Sequence, residues 1–328
     1  MTTLLLLQRA LRVDDNPALR RVAGAQGLII ASPRMLRCCT PLVDSSNFAP
    51  SSHRLRFRRQ CLDDLEAALQ QRNQSVVLID DDQIDTLTRF IVRHDIKRLI
   101  MDPHPDPQQQ RGLELALIHR MPRLRIEPVD CNSLFSARQM GIDANSLPQV
   151  FSQFRRHVEK RSLVVELMEL PDSAATALCN MDHTTDRFTG GESAGLAHLD
   201  RYLFVDRHVS HYKDTRNGLL HDSDGSRFSL WLAEGALSPR RIWTELDRYA
   251  AMYGEDKHTH WLRVELLWRE FFRWNLLLKG SAIYLREELL APLSAQARLR
   301  LQAWQQGQTG VPFVDANMTE LAQTGYMS

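Results

Sequence analysis

No charge of one sign dominates this 328-residue chain: 41 Lys and Arg against 40 Asp and Glu leave a formal net charge of +1. That balance excludes a uniformly basic nucleic-acid binder and confines any such contact to a local patch. Long apolar runs are missing too. Nothing approaches the ~20 residues of a membrane-spanning helix, and MTTLLLLQRALR at the start lacks both the basic flank and the apolar length of a secretory signal. A cytoplasmic protein with no membrane partner is expected. Cysteine is scarce, five residues (Cys38, Cys39, Cys61, Cys131, Cys179) with no Cys-x-x-Cys spacing. Neither a disulfide framework nor a zinc site follows, and free, mostly buried thiols are expected. No His-Glu-x-x-His occurs, and His258 and His260 would diverge around a helix, so no metal is expected. A Gly-x-Gly-x-x-Gly after the first apolar run is also lacking, which argues against an NAD domain of the usual kind.

What is present alternates. Apolar runs at 3–7, 27–32, 75–80, 97–102 and 123–129 read as strands buried on both faces, and amphipathic helical patterns separate them. Strand and helix in turn predict an α/β domain with a doubly wound parallel sheet, whose ligands sit beyond the carboxyl ends of the strands, near Arg9, Arg12 and Asp15. The pattern loosens after residue 132. Beyond FTGGESAG, where paired glycines read as a flexible linker with a helix cap near Ser193, helical patterns follow one another without a convincing strand. All six tryptophans lie in this half. The expected division is an α/β domain over 1–132, a linker over 133–190 and an all-α domain over 191–328. The basic clusters HRLRFRR and FRRHVEKR read as solvated helix faces.

Two stretches can carry chemistry. In DGSRFSLWLAEGALSPR, hydroxyls and an Arg stand where a helix begins. They either cap that helix or bind an anion at its N-terminus. In THWLRVELLWREFFRWNLLL, Trp261, Glu265, Trp268, Arg269 and Phe272 fall within about 100° of helical arc. That stripe is either a local Glu265–Arg269 pair beside core aromatics or the wall of a cavity that stacks and hydrogen-bonds flat heteroaromatic rings.

Taken together, LRVDDNPAL, LPQVFSQFRRHVEK, FTGGESAGLAHLDRYLF, YKDTRNGLL, SRFSLWLAEGALSPR, WLRVELLWREFFRW and GQTGVPFVDANMTELAQTGYMS resemble the photolyase/cryptochrome family, most closely its cryptochrome DASH branch. These motifs span nearly the whole sequence. The resemblance implies FAD as cofactor, held by Tyr212, Ser226, Arg227, Phe228, Ser229 and Arg269, with GSRFS around the pyrophosphate. Glu265 and Trp268 would act on the substrate, and Phe272 would join them in contacting DNA. The implied reaction is blue-light-driven repair. Excited reduced flavin gives an electron to a cyclobutane pyrimidine dimer, mainly in single-stranded DNA, and the electron returns after the ring opens. A photoreceptor without repair activity, or an inactive fragment, are the alternatives.

The sequence departs from the family in four places. Gly225 replaces a usual Thr or Ser. Gln109 and Gln110 stand where carboxylates would serve a methenyltetrahydrofolate antenna. Ser294 occupies the place of an outer relay Trp. The family also continues beyond the residue that matches Ser328, with an Asn-Arg motif and further flavin contacts. The chain is therefore expected to be truncated within its helical domain, monomeric, and by itself a poor binder of FAD and inactive.

Overall fold

The computed structural model describes residues 2–35, 51–81, 83–103, 107–143, 145–168, 188–280 and 294–327. Five parallel strands, β1 (Thr3–Leu6), β2 (Leu28–Met35), β3 (Val76–Asp81), β4 (Arg98–Met101) and β5 (Arg125–Pro128), form one sheet in the order β3-β2-β1-β4-β5. Leu5 lies beside Ile30 on one flank and Ile100 on the other, so β1 is central. Its consecutive leucines serve both faces, as a period of two requires. Leu4 and Leu6 pack with Leu87 and Ile91 of α3 (Ile84–Arg93) and Leu117 of α4 (Pro107–Arg120). Leu5 and Leu7 pack with Ala18 of α1 (Pro17–Arg21) and Leu62 and Leu65 of α2 (Ser52–Gln70). The predicted doubly wound sheet is therefore observed, with strand limits shifted by a few residues at most.

The second core does not stop at the sheet. It runs on through Leu199, Trp231, Leu237, Ile242, Leu267 and Trp274, which belong to the helical layer. That layer contains α7 (Glu192–Asp200), α8 (Tyr212–Thr215), α9 (Ser229–Glu234), α10 (Pro239–Tyr253) and α11 (Lys257–Lys279), then helices Ala295–Gln305 and Pro312–Thr324. Among the described residues no strand follows β5. The stretch read as linker contains α5 (Ala137–Met140) and α6 (Phe151–Lys160), the latter packed on α11 through Phe154 and Phe271. Asp256 starts α11 with a reciprocal cap to Thr259. The left-handed Gly325 ends the last helix, and a Cβ there would lie 2.4 Å from that of His53. Ser294 caps helix Ala295–Gln305. Cys61 and Cys131 are free and buried; Cys38, Cys39 and Cys179 lie outside the described residues. No described helix is long and apolar enough to cross a membrane.

Three local readings need correction. The glycines of FTGGESAG permit close packing rather than supply slack: a Cβ on Gly190 would stand 2.2 Å from the Phe57 carbonyl oxygen of α2. The α7 N-terminus is met not by Ser193 but by Asp64 of α2, which accepts from the Ser193 amide at 3.0 Å. HRLRFRR is not wholly solvated, because Arg58 is 3% exposed and its Nη1 donates to Glu234 at 2.5 Å.

The segment after β1 is a joint between the layers. Arg12 is fully buried and uses all its donors: Nε to the Asp14 carbonyl (3.0 Å), Nη1 to Asn132 Oδ1 (2.9 Å) and the Gly235 carbonyl (2.8 Å), Nη2 to the Asp15 (3.0 Å) and Cys131 (2.5 Å) carbonyls. Asp15 accepts from Arg240 Nε at 2.8 Å, and Arg241 holds Asp14 with two bonds of 2.8 and 2.6 Å. The layers approach so closely that a Cβ on Gly235, whose φ is +66°, would fall 1.7 Å from the Arg9 carbonyl oxygen. Arg12 and Asp15, read above as facing a ligand, are thus engaged in this joint.

Glu192 belongs to the same joint and accepts from the Val13 and Asp14 amides at 2.7 and 2.6 Å. Burial pushes its carboxyl up to about 7, the Asp14 charge adding to the rise against those two donors. With a folded value above the ~4.3 of an unfolded Glu, its contribution to stability is full at acidic pH and is lost as pH rises through 7. Urea unfolding of wild type and Glu192→Gln from pH 4 to 8 should show the wild type losing stability relative to the variant. Parallel curves would refute the assignment.

Candidate functional site

A cavity of about 600 Å³ opens between the layers, lined by Arg9, Arg54, Pro103 and Asn132 on the sheet side. Tyr212, Ser226, Phe228 and Ser229 line it from α8 and the start of α9. Leu262, Glu265, Leu266, Arg269 and Arg273 line it from α11, one stripe at helical spacing. β1 and β4 are where the strand order reverses, so Arg9 and Pro103, which follow them, mark the switch point at which such sheets bind ligands.

The loop before α9 answers whether its hydroxyls cap or bind. No side chain caps α9, whose N-cap position is Phe228. Ser226 and Ser229 instead border the cavity. Arg227 adopts φ +56°, left-handed and uncommon for a non-glycine residue, and Phe228 follows in the right-handed region at φ −60°, ψ −21°. Successive residues of opposite hand turn their amides toward one concavity, a nest suited to an anion. The Arg227 side chain folds back, donating to the His221 and Asp222 carbonyls at 3.2 and 3.3 Å and lying 4.9 Å from the Tyr326 ring centre. It does not line the cavity, so its guanidinium shapes the loop while its backbone forms the nest.

Charge on the opposite wall matches. Arg269 donates to the Asn132 carbonyl at 2.9 Å and, among the described residues, has no ion-pair partner. Burial together with the neighbouring Arg273 lowers it to about 10, leaving it charged at neutral pH. Arg273 pairs with Asp130 at 2.6 Å. Although burial raises the Asp130 carboxyl, Arg273 and the Ser133 and Asn132 donors outweigh it and hold it at about 2. Arg9 also lines the cavity, and among the described residues its buried Nε has no hydrogen-bond partner. A ligand with an anionic middle and flat apolar parts fits this set: hydroxyls, a nest and a guanidinium beside Phe228, Leu232, Leu262 and Leu266.

Glu265 does not pair with Arg269. It is bound by Arg216 of the YKDTRNGLL stretch, whose guanidinium carbon lies 5.2 Å from the Trp261 ring centre, with Lys213 Nζ at 4.7 Å. Tyr212 is brought to the cavity because the next amide, Lys213, donates to His258 Nδ1 on α11 at 3.2 Å. Burial and the Glu265 charge raise its phenol to about 12. Trp268 and Phe272 stand beside the cavity, not in its lining. Trp268 stacks on Phe151 of α6 at 3.7 Å and 11°, and on Phe272 at 5.7 Å. The result is a partly exposed ladder of three rings next to Glu265. Gln110 donates to Glu114 at 2.5 Å, while the Gln109 side chain lies outside what is described. Arg273, Arg216 and Asn132 were not foreseen as site residues. Extending the Glu265–Arg269 stripe by one turn finds Arg273, whereas nothing in sequence marks Asn132.

The comparisons agree with this geometry. Residues 3–174 match the family model of DNA photolyase, and residues 261–328 match the FAD binding domain of DNA photolyase. Cryptochrome DASH of Idiomarina loihiensis is 33% identical, aligned over 99% of this chain and 75% of its own length. That of Synechocystis sp. is 31% identical, over 100% of this chain and 71% of its own. A Synechocystis cryptochrome crystal structure superposes with a TM-score of 0.83 at 28% identity, covering 100% of this chain and 72% of that one. A class III photolyase from Agrobacterium tumefaciens shares the fold, with a TM-score of 0.71 at 21% identity and coverage of 99% and 70%. Sheet, helical layer and interlayer cavity define a photolyase-type protein. The chain belongs to the DNA photolyase and cryptochrome family, and the Idiomarina and Synechocystis proteins of 33% and 31% identity are cryptochromes of the DASH kind.

Proposed function

We propose that the interlayer cavity holds FAD and that the site serves light-driven repair of cyclobutane pyrimidine dimers, preferentially in single-stranded DNA. The observation that carries this reading is the convergence of Tyr212, Ser226, Phe228, Ser229, Glu265 and Arg269 on one cavity. The nest at 227–229 and Arg269 would hold the diphosphate. The apolar residues of α9 and α11 would enclose the rings and exclude water. Bound there, the reduced flavin supplies an electron to the substrate when it absorbs light. Glu265, paired with Arg216, would hydrogen-bond a base flipped out of its strand, and the Phe151–Trp268–Phe272 ladder would stack bases beside it. Domain limits at 132 and 190 belong to this proposal, as does monomeric action on DNA.

Titration of the chain with FAD, followed by blue-light irradiation with a single-stranded thymine-dimer oligonucleotide, tests the reading. Failure to take up FAD even at concentrations high enough to register the weak binding expected of this chain would overturn it. Uptake and photoreduction without repair would leave the photosensory alternative.

Gly225 offers a graded test. A Cβ there would meet nothing within 4 Å, and its φ is not in the left-handed region. Gly225→Thr should therefore fold normally and restore a hydroxyl beside the nest. FAD affinity should rise about threefold to tenfold, the worth of one added hydrogen bond. An unchanged affinity, measured by flavin fluorescence quenching, would place the diphosphate elsewhere.

A further inference from the structure

The loop that forms the nest is held from behind by one side chain of α7. His198 Nε2 lies 2.9 Å from the Ser226 carbonyl oxygen. A carbonyl only accepts, so Nε2 carries the proton. Burial, with Arg201 and His208 nearby, keeps the ring below the ordinary histidine range, so it is neutral in the Nε2–H form. The ring stacks on Trp231 at 4.8 Å and 24°, meets Phe228 edge-on at 5.7 Å and lies 6.3 Å from Tyr202. Three aromatic neighbours therefore fix its orientation. A trans peptide points its C=O and the following N–H in opposite directions. Anchoring the Ser226 carbonyl toward α7 thus turns the Arg227 amide away from α7, and no α7 residue lines the cavity.

We propose that His198 is a positioning residue for the FAD diphosphate: by holding the Ser226 carbonyl, it aims the first amide of the 227–229 nest into the cavity. The proposal rests on the reading that the cavity takes FAD. It assigns to α7, which does not line the cavity, control over the phosphate end of the cofactor and none over the isoalloxazine. Riboflavin, which has the ring system but no diphosphate, separates those two effects.

The experiment compares the affinities of the full chain for FAD and riboflavin in wild type, His198→Phe and His198→Gln. Phe keeps a ring against Trp231 and removes the donor; Gln keeps an N–H donor and removes the ring. FAD affinity should fall about tenfold in His198→Phe, the loss of one directing hydrogen bond. It should return to within about threefold of wild type in His198→Gln, a tolerance of less than one such bond. Riboflavin affinity should be the same in all three. In the wild type alone, FAD but not riboflavin should slow hydrogen exchange at the amides of 225–229, a result independent of how the variants fold. Equal FAD affinity in His198→Phe, an equal loss for riboflavin, or exchange at 225–229 that FAD leaves unchanged would each overturn the assignment while the FAD site stands. A wild-type chain that takes up no FAD overturns the FAD reading and this proposal with it.

Discussion

Glu265→Gln is expected to lower light-dependent repair about tenfold or more while leaving flavin occupancy and folding nearly unchanged. The variant replaces a carboxylate by an amide of nearly the same shape, so it removes the charge and turns one acceptor oxygen into an NH2 donor in the proposed contact with the flipped base. Hydrogen bonds to charged partners contribute about 1.5–3 kcal/mol, enough for that loss. Stability should barely respond, because the Glu265–Arg216 pair keeps side-chain exposures of 32% and 28%, and pairs as open as this contribute about 1 kcal/mol or less. The diphosphate contacts proposed for Ser226, Ser229 and Arg269 would be untouched. The measurement is repair of a single-stranded thymine-dimer oligonucleotide at equal flavin loading, with a melting curve alongside. Unchanged repair would reduce Glu265 to the partner of Arg216.

Asp15→Ala should have the largest effect on stability, about 3–5 kcal/mol, the usual consequence of leaving a buried charge without its partner. The Asp15 side chain is fully enclosed and that of Arg240 is 9% exposed. Ser238 Oγ also donates to Asp15, and Arg240 reaches the Ser133 and Cys131 carbonyls at 2.5 and 3.2 Å. Removing the carboxylate strands a guanidinium inside the joint between the layers. Asp14→Ala is the internal control. Its pair with Arg241 is 21–24% exposed, so about 1 kcal/mol or less is expected there. Urea unfolding of both variants gives the answer, and equal losses would contradict this account of the joint.

The sheet could be read from sequence because each of its strands is an apolar run closed by a polar or turn-forming stretch, a signal that needs no partner to be recognised. The α11 stripe was legible for a similar reason, since helical spacing alone puts Glu265 and Arg269 on one side. What the spacing could not decide was how that side is divided. Trp268 turns out to stack on Phe151, a residue more than a hundred positions earlier, and Phe272 stacks on Trp268 in turn. The joint was illegible on principle: Arg12, Arg58, Glu192 and Glu234 look like surface charges until the groups that neutralise them arrive from the other layer. Arg227 was singled out for its charge, yet its contribution to the site is a backbone angle, which residue identity does not announce.

In open α/β sheets the loop after the first strand is normally where lineages vary to acquire new ligands. Here Arg12, Asp15 and the approach of Gly235 to the Arg9 carbonyl have fixed that loop as a hinge pin. Substitutions there will be filtered for assembly of the two layers before any effect on binding can be felt. Divergence in ligand preference is consequently channelled to positions such as 225, where a side chain can be added without displacing anything.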